Sequence, residues 1–472
     1  MLFPTIDFAL FFAGSLALVW SLNRQNQIKK IVLLALSLAF YASWDWHFLL
    51  LLLASGAISF ASGLYVDAAR ARPGRGLVLA LGIGLNLGIL IYFKYLDFFI
   101  AQLLNLAHAL SFSLALDFVN VTLPVAISFL TFHALSYIID VYRGRVAASH
   151  SPLDILLYLS FFPHLVAGPI VRAHEFLPQL QRPGRTADFS LGENLALILG
   201  GLFKKMVVAN YLAVRFADPV FTDPSQFSRL DLVVAMYAYA IQIYCDFSAY
   251  TDIAIGVAAL FGYRFPQNFN QPYRALGFSD FWRRWHMTLS VWLRDYLYIP
   301  LGGNRHGQLA TLRNLMLTML LGGLWHGANF TFLIWGFLHG MALVADHLWQ
   351  RTGAYARLAP KPLYKIIAWA VTFHLVCLAW IFFRSPSLDA ALQFLYGIWS
   401  DNGAAPTLPW IVVPLLACGA LTQAMPEPTR RMLGAAYDRR GLLTQIGLGF
   451  AVLAAIMVMA PPSSAPFIYF QF

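Results

Sequence analysis

Long apolar runs, each ended by a short polar loop, recur from Ile6 to Ala460 and leave this chain few ways to fold. A spanning helix needs about 20 mainly apolar residues. Candidate runs are Ile6–Leu22, Ile31–Trp44, His47–Val66, Leu77–Phe93, Leu96–Leu116, Val121–Tyr142, Leu191–Phe216, Leu315–Leu324, Thr331–Trp349, Ile366–Phe383, Trp410–Met425 and Leu442–Ala460. Of the 472 residues 59% are apolar and 11% charged, against roughly 45–50% and about 25% in soluble domains. A mean hydropathy of +0.65 agrees. The composition excludes an ordinary soluble enzyme and specifies an all-α, polytopic integral membrane protein.

The net charge of +10, from 32 Lys+Arg against 22 Asp+Glu, raises nucleic acid as a partner. The positive residues, however, fall in short loops between apolar runs, where positive-inside topology accounts for them. NRQNQIKK carries Arg24, Lys29 and Lys30, and DAARARPGRG carries Arg70, Arg72 and Arg75, while the Trp44–Trp46 turn carries none. This alternation places Met1 outside and the basic loops in the cytoplasm. The first apolar run follows no basic segment and ends at no small-residue cleavage site, so it reads as a retained helix. Cys245, Cys377 and Cys418 lie within apolar runs without CxxC spacing and read as packing residues.

Three stretches depart from simple spans. Leu153–Val171 has arginines on both flanks (Arg143, Arg145; Arg172, Arg182, Arg185) and contains Pro163, Gly168 and Pro169. It reads as re-entrant, which requires its broken backbone to be buried in protein or to line a wet cavity. Leu230–Tyr263 is too long for one upright span and has CDFSAYTD at its middle, so a kinked or tilted crossing is expected. Arg264–Arg313 is the most basic stretch and is expected in the cytoplasm. Lacking internal repeats or a low-complexity linker, the chain reads as one membrane domain, 1–472, of about 10–12 transmembrane, re-entrant and interfacial helices.

Ionisable side chains within a bilayer cost at least ~2.5–3.5 kcal/mol at mid-depth, so each is a functional candidate. The twelve residues Asn314–Trp325 span about 18 Å as a helix, which puts His326 near mid-membrane. Gly322, Gly323 and Gly327 leave space beside its ring, and Asn329 is positioned to bond it or a substrate. His286 lies in SDFWRRWHMTLSVWLRDYLYIP. On a helical wheel Trp282, Trp285, His286, Leu289, Trp292, Leu293 and Tyr296 share one arc, the pattern of an amphipathic interfacial helix. The stripe reads equally as anchor or as site.

Asp246, Ser248, Tyr250 and Asp252 fall within seven residues; Asp246 with Tyr250, and Ser248 with Asp252, share helix faces. They line a polar passage or satisfy one another at a kink. Lys204 and Lys205 are expected to snorkel to the cytoplasmic face. Arg283, Arg284, Arg294 and Arg305 are candidates for the phosphates of a pantetheine donor, although positive-inside bias predicts a similar cluster. No GxSxG, HExxH or Walker A motif occurs, and no metal site is expected. A buried imidazole suits acyl transfer from a cytoplasmic thioester, with His326 either accepting the proton of an acceptor hydroxyl or carrier or holding the acyl group transiently. In a transporter or flippase the same groups would bind cargo.

DFWRRWHMTLSVWLRDYLYIPLGGNR and LRNLMLTMLLGGLWHGANFTFLIWGFLHG resemble the membrane-bound O-acyltransferase family, in its bacterial alginate O-acetylation branch. FYASWDW, YFKYLDFF, LPVAISFLTFHALSYIIDVYRG, FFPHLVAGPIVR, YCDFSAYTDIAIG and PFIYFQF extend the likeness over essentially the whole chain, with the core motifs in about 121–349. Trp325, next to His326 in the chain, is a further candidate for the substrate path. The resemblance implies catalytic roles for His326 and His286 and a ring of helices around a central funnel. It further implies acetyl-CoA or an acylated carrier protein as donor substrate and no permanently bound cofactor. The expected partners are an extracytoplasmic SGNH-type acetyltransferase and a polysaccharide synthesis complex in the bacterial inner membrane. Ala126, Ala249 and Thr251 depart from the usual residues and leave the identity of the polymer open.

Overall fold

The computed structural model describes residues 3–22, 25–70, 73–166, 168–182, 190–400, 403–423, 427–463 and 465–468. Arg24, Arg72, Arg185 and the last four residues of PFIYFQF lie outside them. The described residues contain helices and no strand. Seven helices are long and apolar enough to cross a membrane, and three shorter ones are apolar. The fold is all-α and polytopic, and it packs as two compact units.

The first unit, Met1–Phe189 with Val257–Phe265, holds the helices Ile6–Ser21, Asn26–Ala42, Phe48–Ala68, Arg75–Ala109, Ile127–Tyr142, Pro152–Ser160, Phe162–Leu165 and Ala173–Leu180. Arg75–Ala109 corrects the expectation of two spans separated at Lys94, because it runs unbroken for 35 residues. Neither Gly nor Pro stands at the expected break. A π turn at Ile91–Tyr95 carries the helix through, and Lys94 donates to Ser128 Oγ at 3.3 Å. Lys29 and Lys30 are also not loop residues. Both are buried in Asn26–Ala42, where Lys30 pairs with Asp154 at 2.7 Å and Lys29 donates to the Phe261 carbonyl at 3.3 Å. The stretch read as re-entrant forms helices of nine and four residues. They break at Phe161, before Pro163, and their backbone is buried in protein, with the Phe162 N–H donating to Ser37 Oγ at 3.2 Å.

The second unit, Ser190–Gly256 with Pro266–Phe472, begins with Leu191–Thr222, a helix with π segments at Lys204–Ala209 and Ala213–Ala217. Arg229–Leu260 follows as 32 uninterrupted α-helical residues, so the polar CDFSAYTD stretch does not mark a break in the helix. The stretch read as one amphipathic helix is divided into Phe278–Trp282, Met287–Leu293 and a π turn Arg294–Tyr298, with His286 at the break. The arc of side chains is nevertheless buried as its spacing requires, from Trp282 to Tyr296. Gly307–His326, Phe330–Gln350, Gly353–Leu358, Pro362–Arg384, Leu388–Trp399, Val412–Thr422, Glu427–Asp438 and Leu442–Met459 complete the unit's α-helices among the described residues.

Candidate active site

His326 is the last residue of Gly307–His326, and its ring is held by the hairpin that this helix makes with Phe330–Gln350. The two helices approach through glycines. A Cβ at Gly323 would collide with the Phe332 carbonyl oxygen, and one at Gly327 would collide with the Phe332 ring. These glycines therefore admit a neighbouring backbone and ring, and do not leave the open space expected beside His326. Only 5% exposed, the imidazole stands edge-on to Trp335 at 5.0 Å and Phe383 at 5.1 Å between ring centroids. Asn329 is committed elsewhere: its Oδ1 accepts the Thr331 N–H at 3.1 Å as a helix cap, and its Nδ2 donates to the Pro386 carbonyl at 3.1 Å.

His286 is fully buried with φ 42° and ψ 53°, a left-handed conformation uncommon for any residue with a Cβ. Its partner is Asn268, which the motifs did not indicate. Asn268 Oδ1 accepts the Thr288 backbone N–H at 3.1 Å and hydroxyl at 2.8 Å. A backbone N–H only donates, so this atom is the amide oxygen, and the imidazole Nδ1 3.2 Å away carries the proton. Nε2, which has no hydrogen-bond partner among the described residues, then holds a lone pair. Burial pushes this imidazole down to about 3, so it is neutral at physiological pH. Trp325 touches both histidines, at 6.4 Å from His286 and 4.8 Å from His326 between centroids.

Asp246 and Tyr250 occupy one face of Arg229–Leu260, and Ser248 and Asp252 the next. Each face meets one of the two adjacent lysines. Lys205 lies 2.8 Å from Asp246 and donates to the Ala465 carbonyl at 3.0 Å, while Asp246 Oδ2 accepts the Ile468 N–H at 3.0 Å. Tyr250 packs on Phe467 at 4.1 Å. Asp246 and Tyr250 thus seat the segment Ala465–Ile468. Lys204 donates to Ser248 Oγ and Asp252 Oδ2, both at 2.7 Å. Both lysines are buried, and ion pairing replaces the expected snorkelling.

The four candidate arginines separate into two kinds. Arg284 pairs with Asp280 at 2.9 Å and Arg294 with Asp295 at 2.7 Å. Arg283 and Arg305 are exposed, with no ion pair found among the described residues. Among those residues no group of three or more His, Cys, Asp and Glu side chains is placed to hold a metal ion.

Residues 127–385, which include both imidazoles, match the membrane-bound O-acyltransferase family. The chain is 38% identical to the Probable alginate O-acetylase of Pseudomonas putida over 95% of each chain. It is 40% identical to the Peptidoglycan O-acetyltransferase of Helicobacter pylori over 80% of this chain and 75% of that one. It is 29% identical to the Teichoic acid D-alanyltransferase of Bacillus subtilis, over 55% and 68% respectively. The chain belongs to the membrane-bound O-acyltransferase family. It is an O-acyltransferase of a membrane, and the transporter reading falls away.

In this O-acyltransferase the sequence left further buried groups unremarked. His339 lies one turn from Trp335 on Phe330–Gln350, fully buried, with its ring 4.7 Å from Trp335 and 5.3 Å from Trp282. The i, i+4 spacing from Trp335 was available as a signal. Asn268 and Phe269 had none, since they lie in irregular chain between helices. In the first unit His133 and His164 are both fully buried with centroids 4.6 Å apart.

Proposed function

We propose that this chain takes an acetyl group from a thioester on the cytoplasmic side of the bacterial inner membrane and passes it outward for O-acetylation of an exopolysaccharide such as alginate. The observation that carries the reading is the pair of buried imidazoles against one indole, His286 and His326 on Trp325. His326 accepts the proton of the acceptor hydroxyl as its oxygen attacks the thioester carbon. The C–O bond forms, the C–S bond breaks, and the proton passes to the departing sulfur, giving a free thiol. General-base help of this kind is worth about 10² to 10⁴-fold. His286, neutral and with a lone pair on Nε2, is the second group able to hold a proton.

Acetyl-CoA and an acylated carrier protein both present a pantetheine thioester, and the candidate arginines, Arg284 among them, supply cations suited to its phosphate. The acceptor hydroxyl belongs to an extracytoplasmic SGNH-type transferase within the polysaccharide synthesis complex, which modifies the polymer. The names of the Pseudomonas putida and Helicobacter pylori relatives support acetyl as the group and leave two polymers to compare.

The test measures acetate bound to exopolysaccharide and to peptidoglycan in cells lacking the native copy and complemented with the wild-type chain. Chain-dependent acetate on the exopolysaccharide is the expected result. Acetate on peptidoglycan alone would move the assignment to that polymer, and acetate on neither would overturn the reading.

A further inference from the structure

A cavity of about 440 Å³ lies within the second unit, bounded by Lys204, Ser248, Asp252, Phe269, Asn270 and Gln271 together with apolar residues such as Leu197 and Leu421. The size is that of a small-molecule site. Arg274 donates to Gln271 Oε1 at 2.9 Å and Arg284 to the Asn270 carbonyl at 3.4 Å, so cations stand at the exposed rim. Lys204, Asp252 and Ser248 form a polar cluster on one wall. Phe269 is the one aromatic residue found both to line this cavity and to contact the His286 ring. Its ring is near-parallel to that imidazole at 6.4 Å and packed edge-on by Trp285 at 5.0 Å and Phe247 at 5.1 Å.

A phosphopantetheine thioester carries groups that match this lining: a phosphate, two amides and an acyl sulfur. We propose that Phe269 sets the size of the acyl group this enzyme accepts, by standing between His286 and a cavity that seats the donor's pantetheine arm. This rests on the thioester reading above. Asn270, Gln271 and the Asp252 carboxylate supply donors and acceptors for the two amides. The acyl end meets Phe269, and the thioester reaches the imidazole when this ring turns about χ1. Trp285 and Phe247 confine that turn, so the opening passes a two-carbon group and resists longer ones. One methylene in such an apolar constriction changes discrimination by about 10 to 200-fold.

Cys418 offers a readout that needs no acceptor. It lines the cavity and is partly exposed, whereas Cys245 and Cys377 are buried. The full chain in nanodiscs is treated with N-ethylmaleimide in the presence of S-ethyl-pantetheine or S-hexyl-pantetheine, and the alkylation rate of Cys418 is followed by mass spectrometry. In the wild type S-ethyl-pantetheine protects at a concentration at least tenfold lower than S-hexyl-pantetheine. Phe269→Ala removes that preference and Phe269→Leu reduces it, each variant alkylating at the wild-type rate without ligand as proof of an intact cavity. If Phe269→Ala does not fold, Phe269→Leu decides. Equal protection by both thioethers in the wild type, an unchanged ratio in the variants, or protection by a lysophospholipid and not by pantetheine would each overturn the proposal. Polymer acetate that depends on the chain alongside any of these results would leave the thioester reading standing and remove this one alone.

Discussion

His286 sits in a backbone conformation that costs an ordinary residue about 1–2 kcal/mol, and what holds it there is Asn268. That one carboxamide oxygen fixes the imidazole tautomer and receives two donors from Thr288. Asn268→Ala would leave buried donors unpaired at about 1–3 kcal/mol. A lower unfolding midpoint is expected, together with a loss of transfer that Asn268→Gln does not restore, because the longer side chain cannot keep the same oxygen in place. The pH dependence follows from burial. The unfolded imidazole binds a proton near pH 6.5 and the folded one only near 3, so stability is level above about 6.5 and falls as the pH is lowered towards 3. Replacing His286 by Gln should lessen that slope without abolishing it, because other histidines are also fully buried, as read from unfolding midpoints between pH 7 and pH 4. The sequence marked His286 by its place in an aromatic stripe and His326 by its distance along an apolar run. It could not mark Asn268, because a polar residue in irregular chain has no periodicity to betray its partner.

At the scale of elements, the hairpin Gly307–His326 with Phe330–Gln350 determines where His326 stands. Its helices were legible from hydropathy, but the role of the glycines was not, since a glycine that makes space and one that admits a backbone look alike in sequence. Gly323→Val forces the side chain against the Phe332 carbonyl and Gly336. It should cost about 1–3 kcal/mol or more and displace His326, so transfer falls further than the amount of folded protein, measured together in nanodiscs. Arg75–Ala109 teaches a related point. The sequence reads as two spans, Leu77–Phe93 and Leu96–Leu116, on either side of Lys94 because it does not show Ser128 beside that lysine. The stripe around His286 shows the converse: its spacing predicted which side chains are buried even though the helix carrying them is broken.

For the molecule as a whole, the apolar runs and the scarcity of charge made the membrane class legible, while the pairing of its internal charges required the fold. Lys204 and Lys205 are neighbours in sequence, and the π segment that carries them turns each toward a different face of Arg229–Leu260. Lys205→Met leaves Asp246 buried without its cation, at about 3–5 kcal/mol, and frees Ala465–Ile468. Faster proteolytic trimming of that segment is expected, with recovery when Asp246→Asn is added.

The central claim is that a buried imidazole at position 326 performs acyl transfer. The most direct measurement is polymer-bound acetate in cells carrying wild type, His326→Ala or His326→Gln, with membrane levels matched. Loss of acetate by at least a hundredfold in both variants, with polymer export unchanged, is the predicted result. Retention of acetate by either variant would contradict it.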